Sequence, residues 1–368
     1  MATRLLFALP GFHLYERGAE IALLSVANAL ARDGNEVTVM GSGQIREDAP
    51  YRFVHVPSIP RERFEKFPQF PVCRSETAWE DASFSLPLLR AFNPSEFDVV
   101  VTCSFPFTHW SLRRPSRHSP LQIFVTQNGD WPAWSNDAEY RTFSCNGLVC
   151  TNPDYFERNR EKWECALIPN GVDLDQFTPG PAVREKFGLP VDKKVVLMVS
   201  AFIESKRVLE GIRAVAELED VFLIVAGDGP LRDVGQRLGD ALLPSRYMRI
   251  TVPANEMPDL YRAADAFLHL SLQESFGNVF LEAWASGLPV IGHDSERLRW
   301  IFGDSSQYLG DTQDRDLLVS LLKRALAAGP SLDRAKEIER FSWPSIAKQY
   351  ETFIGGLLKA RGGADKCK

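Results

Sequence analysis

The chain has 368 residues, 45% of them hydrophobic and 24% charged, and a formal net charge of −6. That length points to two domains and that composition to an ordinary globular protein. The acidic balance argues against broad, non-specific nucleic-acid binding, and no run approaches the roughly 18 apolar residues of a membrane span. At the N-terminus the apolar run 5–9 is cut by Pro10, so it reads as a buried first strand rather than a signal peptide. A helical stretch at 19–32 and a strand at 36–40 follow. Further strands are predicted at 97–103, 121–126, 147–151 and 166–168. Such alternation favours a parallel sheet with helices on both faces.

Pro169-Asn170-Gly171-Val172-Asp173 is strong turn chemistry, and Pro179, Gly180 and Pro181 follow it closely. A domain boundary is placed there, giving a first domain at 1–168 and a second at 169–342. A second alternating series begins beyond it. Strands are predicted at 195–200, 221–226, 249–252, 266–270 and 289–292. Helices are predicted at 208–218, 231–241, 257–263, 278–286 and 314–327. A final helix starts near Trp343. Six cysteines (73, 103, 145, 150, 165 and 367) show no zinc spacing and read as reduced thiols of a reducing compartment.

The most informative string is Glu274-Ser-Phe-Gly-Asn-Val-Phe-Leu-Glu282, between a predicted strand and a helix closed by Gly287 and Pro289. Gly277 allows the backbone to approach a ligand. The free amides of Gly277, Asn278 and Val279 suit an anion, most often phosphate. One carboxylate before that anion site and one beside it can hold hydroxyls on either side of a diphosphate, which is the shape of a nucleotide sugar. A bare pair of Glu eight residues apart is common by chance, so the surrounding string carries the weight.

Residues 259–292 closely resemble the donor-binding segment of retaining glycosyltransferases of family 4, the "group 1" type. The string from Ile168 to Phe177 resembles the interdomain linker of the same family. The resemblance implies an α/β fold of the GT-B class, with two Rossmann-like, doubly wound parallel-sheet domains facing a cleft. It also implies that the last helix, 343–368, packs back on the first domain. Glu274 is then expected at the donor sugar, with Phe276, Gly277 and Asn278 offering backbone groups to hydroxyls or phosphates. Glu282 is expected at the ribose. Lys206, just after a strand, is expected to balance charge on the leaving diphosphate. The family's Arg five residues earlier is Ala201 here, and Arg207 is a candidate to replace it.

In the first domain, Glu16-Arg17-Gly18-Ala19-Glu20 resembles the family's Gly-Gly-Ala-Glu, with Gly18 bringing amides to the diphosphate and Arg17 departing from the pattern. Asn128 stands where many members have a His. An Asn can bind a sugar hydroxyl but cannot take a proton, which makes Asp130 a candidate for acceptor binding or proton handling. His13 and His109 read as structural. Asp173-Leu174-Asp175, in the linker string, reads as structural rather than metal-binding. The segments 60–74 and 111–118 mix Phe, Arg and Lys; each is a candidate for an anionic acceptor or a peripheral membrane contact, and a solvated loop is the plainer reading.

The expectation is therefore a cytoplasmic, metal-independent retaining glycosyltransferase with no cofactor beyond its co-substrate. It would move a sugar from a nucleoside-diphosphate donor to a glycan, lipid-linked or small-molecule hydroxyl. A nucleotide-sugar epimerase of the same fold and a catalytically weak nucleotide-sugar binding protein are the alternatives.

Overall fold

The computed structural model describes residues 2–45, 48–113, 119–333 and 335–365. Arg114, Arg117 and His118 of the segment 111–118, and Cys367, lie outside the described residues. The chain divides into two units, Met1–Gly171 with Trp343–Lys368, and Val172–Ser342.

In the first unit the described strands are β1 (Arg4–Ala8), β2 (Glu36–Gly41), β3 (Arg52–His55), β4 (Val99–Thr102), β5 (Leu121–Val125), β6 (Gly147–Cys150) and β7 (Cys165–Leu167). They form one sheet in the order β3-β2-β1-β4-β5-β6-β7, with parallel pairings throughout. The helices are α1 (Gly18–Arg32), α2 (Glu76–Ala91), α3 (Phe107–Leu112), α4 (Trp131–Trp134) and α5 (Pro153–Asn159). Helix α1 buries Leu23, Val26, Ala27 and Leu30. Those positions fall on one helical face because side chains three and four apart lie above one another. They pack on the alternate residues Leu5 and Phe7 of β1.

In the second unit the strands are β8 (Lys194–Val199), β9 (Val221–Ala226), β10 (Tyr247–Ile250), β11 (Ala266–His269), β12 (Val290–His293) and β13 (Leu309–Gly310). Their order is β10-β9-β8-β11-β12-β13, again parallel. The helices are α6 (Val208–Ala216), α7 (Arg232–Leu242), α8 (Met257–Arg262), α9 (Asn278–Ala285), α10 (Glu296–Phe302) and α11 (Arg315–Ala328). The last helix, α12 (Trp343–Asp365), belongs to the first unit, where Ile346, Ala347, Tyr350 and Ile354 complete the core beside α1.

Both units are Rossmann-like, and together they give the GT-B class. Each sheet has a point where the strand order reverses, between β1 and β4 in the first and between β8 and β11 in the second. Ligands of open α/β sheets bind outside the carboxyl ends of the strands at such a point. The loops leaving β8 and β11 carry Lys206 and Glu274, so the topology brings together two residues 68 positions apart.

Two strands are missing from the sequence reading, and both are sheet edges. β3 is short and only partly buried, so its apolar signal is weak. β13 has two residues. Helix α2 was also missed; its buried face carries Glu80, Asp81 and Ser85 alongside Phe84 and Leu88, which blurs the apolar stripe.

Candidate active site

Strand β11 buries both faces with Ala266, Phe267, Leu268 and His269. Beyond it the chain turns through Ser271, whose hydroxyl donates to the Gln273 carbonyl at 2.9 Å, and reaches Glu274. Gly277 stands at φ +91°, and a Cβ there would lie 2.7 Å from the Phe280 ring. The sharp turn therefore requires glycine. It ends at the start of α9, where the first amides have no partner inside the helix. Phe276 is buried, packed near Phe341, so it can offer a ligand only backbone.

Glu274 is held from three directions. Lys206 Nζ contacts its Oε1, and His269 Nε2 lies 3.0 Å from the same oxygen. Arg297 of α10 donates to the Glu274 carbonyl. Burial alone would raise the Glu274 carboxyl, but the His269 hydrogen bond and the Lys206 charge outweigh it and hold it down at about 2. It is thus a fixed anion at neutral pH. A carboxylate in that state accepts hydrogen bonds and cannot donate one. Lys206 has three donors and, among the described residues, uses one on Glu274.

Glu282 lies one turn into α9. Tyr261 of α8 donates to its Oε2 at 2.7 Å. Burial pushes the Glu282 carboxyl above the usual range, partly offset by the Tyr261 hydroxyl. The residue retains some accessible surface, while the carboxyl itself sits deep among protein atoms. Val279 packs partly on the core of this unit, and Asn278 is partly exposed.

The cation missing at the exposed Ala201 is not replaced by Arg207 in this geometry. Arg207 adopts φ +53° and turns its guanidinium to the Leu270 carbonyl at 3.4 Å and to Thr312 Oγ1 and O at 3.0 and 3.1 Å. It braces β11 against the loop that follows β13.

In the first unit Gly18 is exposed at the start of α1, with no side chain capping that end. Arg17 stacks on Tyr15, 3.6 Å from the ring centre, and reaches within 3.6 Å of both Glu20 and Glu80. Both carboxyls are raised by burial, and each also faces Arg17, which lowers them in part. Asn128 is exposed in the turn after β5.

Asp130 requires a correction. Only 2% of it is exposed, and its oxygens accept from Trp134 Nε1 at 3.1 Å, Arg158 Nη1 at 3.0 Å and Asn159 Nδ2 at 2.9 Å. Burial raises its carboxyl despite Arg158. The side chain ties α4 to α5 and faces into the unit.

His109 is buried against Phe143, 4.9 Å between ring centres, and burial pushes it down to about 3. His13 bonds the Tyr51 hydroxyl at 2.9 Å. Asp173 caps its own turn, accepting from the amides of Asp175 and Gln176. In 60–74, Phe64, Phe67 and Phe70 surround Trp79, while Arg61 pairs with Glu62 and Arg74 with Glu139. No described helix is long and apolar enough to cross a membrane.

His269 and Arg297 escaped the sequence reading. A polar residue closing an otherwise apolar strand was the available signal for His269. Nothing local marks Arg297, since it reaches Glu274 from a different helix 23 residues on.

Residues 181–340 match the family model "Glycosyl transferases group 1", and residues 17–176 match "Glycosyltransferase Family 4". A lipopolysaccharide core biosynthesis glycosyltransferase of Rhizobium meliloti is 31% identical over 287 residues, covering 74% of this chain and 78% of the relative. Among solved structures, sucrose-phosphate synthase from Thermosynechococcus elongatus shares the fold with a TM-score of 0.75 at 20% identity, covering 97% of this chain and 100% of that one. Anabaena HepE in complex with UDP-glucose does so with a TM-score of 0.70 at 16% identity, covering 96% and 100%.

Proposed function

The chain belongs to the group 1, family 4 glycosyltransferases, and from that premise we propose that it moves a sugar from a nucleoside-diphosphate donor to a hydroxyl acceptor with retention of configuration. The observation that carries this reading is the constellation after β8 and β11. A fixed carboxylate (Glu274) in contact with a lysine (Lys206) stands just before the glycine turn that opens α9, an end with no side-chain cap.

In this reading the diphosphate rests on the amides of Gly277, Asn278 and Val279, where the helix dipole favours negative charge. Lys206 neutralises the charge that grows on the leaving diphosphate. Glu274 accepts hydrogen bonds from donor-sugar hydroxyls, and Glu282 from the ribose. Glu274 is engaged on one oxygen by two partners, which suits it to holding a hydroxyl in place. Front-face attack, with the leaving diphosphate taking the acceptor proton, fits this arrangement. Catalysis then rests on positioning and charge stabilisation. The relatives include a lipopolysaccharide core enzyme, so a glycan acceptor is the first choice, and cytoplasmic synthesis without a required metal completes the proposal.

A thermal-shift screen with UDP, GDP, ADP, TDP and CDP and their sugar conjugates, with and without magnesium, tests the donor site. Binding to the native state stabilises it by about 2.7 kcal/mol at roughly a hundredfold excess over Kd. A shift with one nucleotide family, unchanged by magnesium, is expected. No shift with any of them would sink the reading. The inward commitment of Asp130 and Arg207 favours one alternative, a donor-binding protein with little turnover. It predicts the same shift with neither transfer nor donor hydrolysis.

A further inference from the structure

Nothing in the proposed chemistry uses His269, yet its placement is specific. It closes β11, is 2% exposed, and lies between Phe267, parallel at 6.3 Å, and Phe280, edge-on at 5.0 Å. Its Nε2 faces Glu274 Oε1 at 3.0 Å, while its Nδ1 is buried with no hydrogen-bond partner among the described residues. Because Glu274 is ionised, the shared hydrogen belongs to His269 Nε2. Lys206 takes the same carboxylate oxygen. Oε2 carries no hydrogen bond among the described residues, and 15% of the Glu274 side chain remains accessible.

We propose that His269 is a positioning residue for the donor sugar: by donating to Oε1 of Glu274 alongside Lys206, it turns Oε2 alone toward the sugar hydroxyls. This rests on the donor reading of Glu274. The aromatic walls fix the ring plane, so the Nε2–H direction is set by the core rather than by the ligand. A carboxylate held in advance loses less freedom when the sugar binds. Three charged groups among the described residues bear on His269 directly or through Glu274. Lys206 comes from the 204–206 turn, Glu274 from the loop, and Arg297 from α10 through the Glu274 carbonyl. Its register partner on β12 is Gly292, which carries no charge.

The test compares His269→Leu with His269→Gln. Leu suits the apolar walls but cannot donate, whereas Gln returns an N–H near the Nε2 position. A residue that only filled space would tolerate Leu at least as well as buried Gln. Two measurements are made on each full-length variant and on wild type. Calorimetric titrations use UDP, GDP and ADP, then UDP-glucose, GDP-mannose and ADP-glucose. Carbon-13 NMR of labelled carboxyls, with Glu274 assigned through Glu274→Gln, follows its ionisation from pH 3 to 6 without ligand.

For His269→Leu we expect unchanged affinity for the free nucleotide and a loss of about tenfold for the conjugate, as for one hydrogen bond to a charged group, with Gln recovering most of it. Glu274 should stay ionised across the range in wild type and begin to protonate within it in the Leu variant. Equal conjugate affinity in Leu and wild type, or an unmoved Glu274 titration, would overturn the proposal. Should wild type bind none of the conjugates, the donor reading falls and this proposal with it; a moved titration in that case would show that the His269–Glu274 bond is real but serves another end.

Discussion

The two acidic residues that frame α9 have opposite electrostatic fates. Glu274 is held low by a cation and a histidine, and Glu282 is raised by burial against one tyrosine. The sign of each matters for stability. Glu274 stabilises the fold above its unfolded value of 4.5, and that contribution is lost as pH falls toward 2. Glu282, raised above 4.5, favours the folded state below that value and less so as pH rises through its folded value. A nucleotide whose ribose donates to Glu282 would supply the partners that burial withholds. Glu282→Ala should therefore weaken nucleotide binding by roughly 10–100-fold, the worth of hydrogen bonds to a charged group. Calorimetry with the nucleotide found in the screen checks this, and an unchanged Kd would remove Glu282 from the site. Asp130 shows the same point from the other side. Its sequence position suggested chemistry, but its three donors make it a structural tie.

At the level of elements, the turn from β11 into α9 does most to shape the site. Its geometry depends on Gly277, where the backbone is left-handed and a Cβ would press on Phe280. Gly277→Ala should cost about 1–3 kcal/mol of stability, the usual range for forcing a non-glycine residue into such a region, and should reduce phosphate affinity as the first amides of α9 shift. Urea denaturation together with nucleotide titration would measure both; loss of neither would mean that the turn relaxes freely. The glycines at 227 and 229 have a different reason. A Cβ on Gly227 would lie 2.0 Å from the Ser200 carbonyl, so that pair lets the loops after β8 and β9 touch. This explains a glycine pair that lacks the rest of a dinucleotide fingerprint.

Across the whole molecule, the last helix serves the first unit although it follows the second in sequence. Ile346 is fully buried in the core that α12 completes beside α1. Ile346→Ala should cost about 2–5 kcal/mol, as for other buried aliphatic truncations. Hydrogen exchange should show the loss spread over α1, β1 and α12, with the sheet of the second unit protected as before. Equal loss in both units would mean that they unfold as one.

Much of the fold was legible because its signals are local. Parallel strands buried on both faces read as apolar runs, as with residues 221–226, where predicted and observed strands coincide. Helix stops such as Gly287 are marked by residue type. The edge strands β3 and β13 were not legible, since one is half exposed and the other two residues long. The string Glu274–Glu282 and the linker likewise identified the family, because spacing along a turn and a helix is written directly in sequence. By itself, then, the sequence determined two alternating α/β halves and the segments that carry the chemistry. Only the tertiary structure decided which side chains meet. It set Lys206 and His269 on one oxygen of Glu274, turned Arg207 toward Thr312 and closed Asp130 inside three donors. The physical reason is that most of these pairings, Lys206 to Glu274, Arg207 to Thr312 and Asp130 to Arg158 and Asn159, join segments far apart in sequence. They are set by strand order and by the unequal burial of each group, and neither has a local sequence signal.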